Sequence, residues 1–163
     1  MEITNEIKAK VFAQYLGHRV ELDNGGSKVT KTLCAVGGIN DEAEYIKLRV
    51  GNFAHAVFVK ENSFKLILKP LSAITDEDAI DIAVLAGMVR PMNRFEFVIS
   101  RHINYTKRIL SEYFEGYKPT EEIITGNVWL SIYQFLQSKG YDTPQYLLGG
   151  KTLAQSGLAI YEN

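Results

Sequence analysis

Residues 64–79, FKLILKPLSAITDEDA, hold the clearest strand-to-helix junction in the chain. Phe64, Leu66 and Leu68 alternate with Lys65, Ile67 and Lys69, the pattern of a strand with one buried face. Pro70 has no N–H to give to a sheet, so regular pairing is expected to stop there or pass to an edge. Thr75 stands where an N-cap is needed, and Asp78 three residues later approximates a capping box. Asp76, Glu77 and Asp78 bring negative charge to the positive end of a helix dipole, worth a few tenths to about 1 kcal/mol each. Three acids in a row would also suit a metal or catalytic cluster, but capping and the dipole account for all three positions. Ile80, Ile82, Ala83, Val84, Leu85 and Ala86 follow almost without polar relief, so this helix is expected to be buried on more than one side. Gly87 is placed to end it.

Upstream, residues 3–16 read as a helix. Ile3, Ile7, Val11 and Tyr15 drift round one side, and Ala9, Phe12, Ala13 and Leu16 mark another, which predicts two apolar neighbours. Gly17 stops it. Short alternating strands are predicted at 19–23, 29–36, 44–50 and 54–60, with turns at Asn24-Gly25-Gly26, Gly37-Gly38 and Gly51-Asn52. With the strand at 64–69 they make about five strands in the N-terminal half, read as a mostly antiparallel meander. Downstream, Ile99, Ile103, Thr106, Leu110, Tyr113 and Phe114 fall within about a third of a helical wheel. Arg94 to Val98 leads into that helix, Gly116 ends it and Pro119 follows. Asn127 opens an amphipathic helix at 128–139, with Val128, Trp129, Ile132, Phe135 and Leu136 on its apolar face and Gly140 closing it. The tail has a proline turn, a glycine pair, a short helical turn at 152–155 and a last apolar stretch at 158–161. The predicted class is α+β, a small sheet packed with three to five helices in one domain spanning 1–163.

Composition narrows the function classes. At 163 residues the chain is long enough to bury a core. A net charge of −1 creates no global field for nucleic acid or anionic membrane, so any anion must be held by a local patch. The single cysteine, Cys34, excludes an intrachain disulfide and a zinc knuckle, and reads as packing in a strand. His18, His55 and His102 lack metal-ligand spacing, so no metal and no cofactor is expected. The polar N-terminus and the lack of a long apolar run point to a cytoplasmic protein that neither enters nor spans a membrane. Nine tyrosines are more than a bare core needs, and some are expected at a binding surface.

KPLSAIT at 69–75 after an apolar strand, SKGYD at 138–142 after an amphipathic helix, and GLAIY at 157–161 occur in that order. In this the chain resembles a group of small phage and prophage proteins of Bacteroidota, over most of its length outside the stretch 77–125. The resemblance implies a phage origin and expression in the host cell. Small phage proteins of that setting often block a host defence, either by binding a host protein or by sequestering a nucleotide signal, as sponge proteins against cyclic nucleotides do.

Two sets of residues bear on nucleotide capture. Arg101, Tyr105 and Arg108 share one face of the predicted helix, opposite the Ile99/Ile103/Leu110 stripe, with His102 at its border. Two guanidiniums flanking a phenol can clamp phosphate and stack a base; a solvated face with Glu112 pairing one arginine is the plainer reading. GGKT at 149–152 resembles the end of a phosphate-binding loop. The full pattern needs a glycine where Gln145 stands, so it fails as a nucleotide-hydrolase motif. As a glycine-rich turn it would still offer backbone N–H groups and Lys151 to an anion, or serve only to let Thr152 cap a helical turn. Lys69 is the one candidate within the opening stretch. The expectation is a non-enzymatic binding protein, possible as a homo-oligomer, that takes a phosphorylated, cyclic nucleotide through Arg101, His102, Tyr105, Arg108, Lys69, Lys151 and Thr152. The alternative is a protein–protein inhibitor or adaptor of a host factor, contacting it through the two-sided first helix and exposed tyrosines.

Overall fold

The computed structural model describes residues 2–40, 43–50, 52–59, 64–86, 103–104, 106–108, 110 and 127–162. It is an α+β fold built on one mixed sheet. Helix α1 (Asn5–Phe12) runs on into a 3-10 turn (Ala13–Tyr15), so the predicted 3–16 helix is a shorter α-helix with a tightened end. Strands β1 (Arg19–Asn24), β2 (Ser27–Asn40), β3 (Ala43–Val50) and β4 (Phe53–Phe58) follow as antiparallel neighbours. Strand β5 (Phe64–Leu68) leads through a 3-10 turn (Leu71–Ala73) to helix α2 (Asp76–Leu85). Ile103, Asn104, Thr106, Lys107, Arg108 and Leu110 are helical. Helix α3 (Asn127–Ser138), a 3-10 turn (Tyr146–Leu148) and strand β6 (Ala159–Tyr161) complete the described chain.

The sheet order is β4-β3-β2-β1-β5-β6. Strand β5 therefore does not extend the meander past β4. It returns to pair with β1, Leu66 opposite Val20, and β6 then adds parallel to it, Ile160 opposite Ile67. The expectation of a mostly antiparallel sheet holds for the first five strands and misses the sixth. That strand is three residues long and lies far from its partner in sequence, so no local turn announces it. The six Cα steps from Phe58 to Phe64 reach at most about 20 Å, close to the four inter-strand steps of about 4.8 Å that a flat sheet would demand. The sheet instead curls, bringing Val59 and Phe64 into one core.

Strand β2 makes the curl. It pairs with β1 over its first half and with β3 over its second, and the register shifts between Leu33 and Ala35, leaving Cys34 as a bulge. A bulge bends the strand and sharpens its twist. The Cys34 thiol, half-buried, donates to the Lys47 carbonyl at 3.1 Å. Gly37-Gly38, read above as a hairpin turn, lies inside β2. Tyr45 faces Gly37 across the ladder, and a Cβ built there would lie 3.2 Å from the Tyr45 hydroxyl oxygen. The aromatic ring covers the gap that a missing side chain leaves in a strand. The turn between β1 and β2 is as expected: Gly25 and Gly26 both have positive φ, the geometry that matches strand twist in a two-residue hairpin.

Two apolar cores result. Phe12, Tyr15 and Val11 pack on Val20, Leu33, Ile46, Leu48, Leu66 and Leu68 beneath α1, with Leu148, Leu153 and Leu158 of the tail closing the same layer. Ile74, Ile80, Ile82, Ile103, Leu110, Ile132 and Leu136 form the second, among α2, α3 and the helical residues at 103–110. No helix among the described residues is long and apolar enough to cross a membrane.

Thr75 caps α2 as its sequence position implies, its hydroxyl accepting from the Asp78 N–H at 3.1 Å. Thr75→Ala should lower stability by about 1 kcal/mol in urea unfolding, while Thr75→Ser should retain it.

Candidate functional site

The three sequence segments 69–75, 138–142 and 157–161 meet at one joint. The Lys69 N–H donates to the Gly140 carbonyl at 2.8 Å, and the Asp142 N–H donates to the Lys69 carbonyl at 2.9 Å. The last strand adds to the same β5. Gly140 is needed there twice over: its φ is +80°, and a Cβ would stand 3.0 Å from the His18 ring. Burial holds the His18 imidazole below its ordinary pKa, against carbonyl contacts at Gln137 and Ser138 that favour the protonated ring.

Tyr141 and Asp142 carry the joint in opposite directions. The Tyr141 hydroxyl donates to Asp78 Oδ2 at 2.6 Å and accepts from the Thr75 N–H at 3.3 Å. Burial, helped by the Asp78 carboxylate, pushes that phenol up to about 12. Burial alone would raise Asp78. The hydrogen bonds from Tyr141 and Thr75, with the Lys139 ammonium 3.4 Å away, outweigh it and hold the carboxyl below its ordinary value. On the other side Asp142 accepts from the N–H groups of Leu153 and Ala154 at 2.8 and 2.9 Å. Its burial pushes its carboxyl up despite those amides. A third group, Tyr15, is wholly buried and donates to the Tyr141 carbonyl at 3.1 Å; Thr143 and Gln145 surround the same hydroxyl.

Lys69 and Thr152 come to this joint. The Lys69 ammonium sits 5.2 Å from the centre of the Tyr141 ring. Thr152 and Gln155 cap each other reciprocally, Gln155 Oε1 accepting from the Thr152 N–H and Thr152 Oγ1 from the Gln155 N–H. Thr152 therefore acts as a cap, and the neighbouring amides already hold the Asp142 carboxylate. Lys151 is exposed and its backbone bridges to Gln145. Arg108 is exposed on the helical residues at 103–110, where neighbouring Lys107 pairs with Asp76 at 2.6 Å. Arg101, His102 and Tyr105, with the predicted elements around Gly87, Arg94–Val98, Gly116 and Pro119, lie outside the described residues.

Sequence reasoning did not single out β4 as a site. Its segment, FAHAVF, is an edge of the sheet, and it carries no Lys, Arg, Asp, Glu or Pro. Phe53 is 80% exposed and Phe58 39%, and Ala54, His55 and Ala56 are exposed. The opposite edge, β6, is only three residues long. Alternation puts His55 and Val57 on the core side of the sheet with Leu48 and Ile46, and Ala54, Ala56 and Phe58 on the outer side. Phe53 belongs to the core-side row but lies beyond the layer that α1 supplies. His55 Nε2 is 3.0 Å from the Lys31 ammonium. The signal that identifies this strand is the absence of charge in an edge strand, and edge position was hidden until β5 was seen to pair with β1.

A depressed folded-state pKa means that Asp78 contributes stability that is present above its ordinary value of 3.8 and lost as pH falls through the lower folded value. The Tm gap between wild type and Asp78→Asn should therefore be constant near neutrality and close on acidification below that point. Tyr141→Phe should cost about 2 kcal/mol near neutrality, because it removes the shortest donor to a buried carboxylate. The two substitutions should be strongly non-additive in a double-mutant cycle.

No family model, curated protein or solved structure matches this chain.

Proposed function

We propose that this chain acts by binding a protein, as an inhibitor or adaptor, and that β4 is the contact strand. The observation that carries the reading is the uncharged, exposed edge at Phe53–Phe58. An edge strand offers a row of unpaired backbone N–H and C=O groups, and natural sheets guard such rows with charge, proline, brevity or a cover. Strand β6 is guarded by brevity; β4 has none of the sequence guards. An extended segment of a partner can add to it, with backbone hydrogen bonds supplying affinity and alternate side chains supplying selection. Phe53 would anchor such a segment on the core side and Phe58 on the outer side, aromatic anchors being the usual centres of binding energy. In the phage setting that the resemblance implies, the partner is a host protein.

The two buried carboxylates favour binding over catalysis. Asp78 and Asp142 are each saturated by donors of the chain's own fold. Capture of a phosphorylated nucleotide draws on Lys69 and Thr152 standing at one joint, but the amides there already serve Asp142. The protein contact is therefore the better supported reading.

A photo-crosslinking amino acid placed at position 54, with the protein expressed in its host cell, should give one discrete adduct. The same probe at Glu21, on the outer face of β1, should give none. Ala56→Lys should abolish the adduct with little loss of stability, since it adds charge to an exposed edge. An adduct of twice the chain's mass would identify a second copy as the partner. Equal labelling from both positions would refute the contact.

A further inference from the structure

A cavity of about 270 Å³ lies between α3, the 3-10 turn that follows α1 and the tail run that begins at Pro144. Leu130, Tyr133, Gln134 and Gln137 stand at i, i+3, i+4 and i+7, so one stripe of α3 lines it. Gln14 meets that stripe from the 3-10 turn, and Gln145 meets it from the tail. Among the described lining residues there is no Lys, Arg, His, Asp or Glu, so the polar groups on offer are mainly carboxamides. Gln145 sets their chemistry. It is 4% exposed, and its orientation is fixed: Nε2 donates at 3.0 Å to the Thr143 carbonyl, a group that can only accept. The Gln145 N–H goes to the Lys151 carbonyl, and its own carbonyl accepts from Leu148 and Gly150. Oε1 is therefore the one polar atom of Gln145 that no described residue serves, and the one left for the cavity. An acceptor on so buried a side chain calls for a donor. Gln14 complements it: Gln137 Nε2 donates to Gln14 Oε1 at 2.7 Å, which leaves the Gln14 NH2 group to donate elsewhere. Thr143 Oγ1 ties the set together, with Gln145 Nε2 at 3.0 Å and Gln137 Nε2 at 3.3 Å.

We infer that this cavity binds the base of an adenine nucleoside, uncharged and read at its edge by carboxamides. The exocyclic amine would donate to Gln145 Oε1, and a ring nitrogen would accept from Gln14 Nε2. That is the donor-and-acceptor pair by which carboxamides read adenine. The rings would lie between Leu130 and the Tyr146 side chain, which is 45% exposed at the rim. The volume lies just below the roughly 300–1,000 Å³ of drug-sized sites and suits a single bicyclic ring. Guanine and hypoxanthine fit less well, since each would set a carbonyl against Gln145 Oε1, acceptor to acceptor. Phosphates would gain nothing, because no described cation lines the cavity. The site shares no residue with β4 and does not depend on the protein contact there.

Titration calorimetry with adenosine tests the inference, with purine riboside, inosine and AMP for comparison. Adenosine should bind saturably, one per chain, and raise Tm. Purine riboside lacks the exocyclic amine and inosine carries a carbonyl in its place, so each should bind about tenfold more weakly. AMP should bind no more tightly than adenosine. Tyr146→Ala changes a side chain at the rim; it should leave the ligand-free Tm nearly in place and weaken adenosine about tenfold. Tyr146→Phe keeps the ring and should keep the affinity. Absence of adenosine binding, equal binding of purine riboside, a large gain from the phosphate of AMP, or an affinity untouched by Tyr146→Ala would each overturn the assignment.

Discussion

The 2.6 Å hydrogen bond from the Tyr141 hydroxyl to Asp78 fixes, within the helical core, the residue whose backbone carbonyl is also held by Tyr15 of the sheet core. On one side lies the curled sheet under α1; on the other lie α2, α3 and the helical residues at 103–110. Tyr141 belongs to the helical core by its ring, and its carbonyl receives the hydroxyl of Tyr15 from the sheet core. Its neighbour Asp142 ties the tail by accepting two amides. A buried carboxylate is tolerable only when it is hydrogen-bonded, and here Asp78 draws a donor 63 residues away while Asp142 draws two amides from the turn 11 and 12 residues on. Each therefore acts as a check on assembly: a segment out of place leaves a charge unsatisfied.

The curl of the sheet has a second consequence. Because β5 returns to β1, the meander's last strand becomes an edge instead of an interior strand. Its core-side row runs out from under α1 at Phe53, where an aromatic ring stands in solvent. At the far end of β4 the same curl brings Val59 into one core with Phe64. One geometric feature, the bend of β2 at Cys34, thus leads to the strand proposed as a protein contact.

Local chemistry made much of the fold readable. Thr75 caps α2 because a short hydroxyl side chain reaches a free amide two or three residues on, and that geometry needs no tertiary help. The Gly25-Gly26 turn is dictated by positive φ, and the Ile132/Leu136 spacing of α3 by the helical period. The three acids at 76–78 were read as a helix start, and so they are, but Asp78 also turns inward to Tyr141. Gln137 of α3 donates to Gln14 and Thr143, contacts that no local spacing announces. Gly37 looked like a turn because a glycine pair usually is one; only Tyr45 across the ladder makes it a strand.

By itself, then, the sequence determined the class of fold, most of the described elements though not all of their ends, and the order of the segments that later meet at Lys69, Tyr141 and Ala159. These depend on interactions within a few residues, where spacing and propensity decide. Tertiary structure alone decided which strand lies at the edge and which donors satisfy Asp78 and Asp142. Those depend on contacts between residues as far apart as Tyr15 and Tyr141, and no local period encodes them. The opening stretch shows both halves. Its strand, proline and cap are written in sixteen consecutive residues, whereas the partner that buries Asp78 lies 63 residues further along the chain.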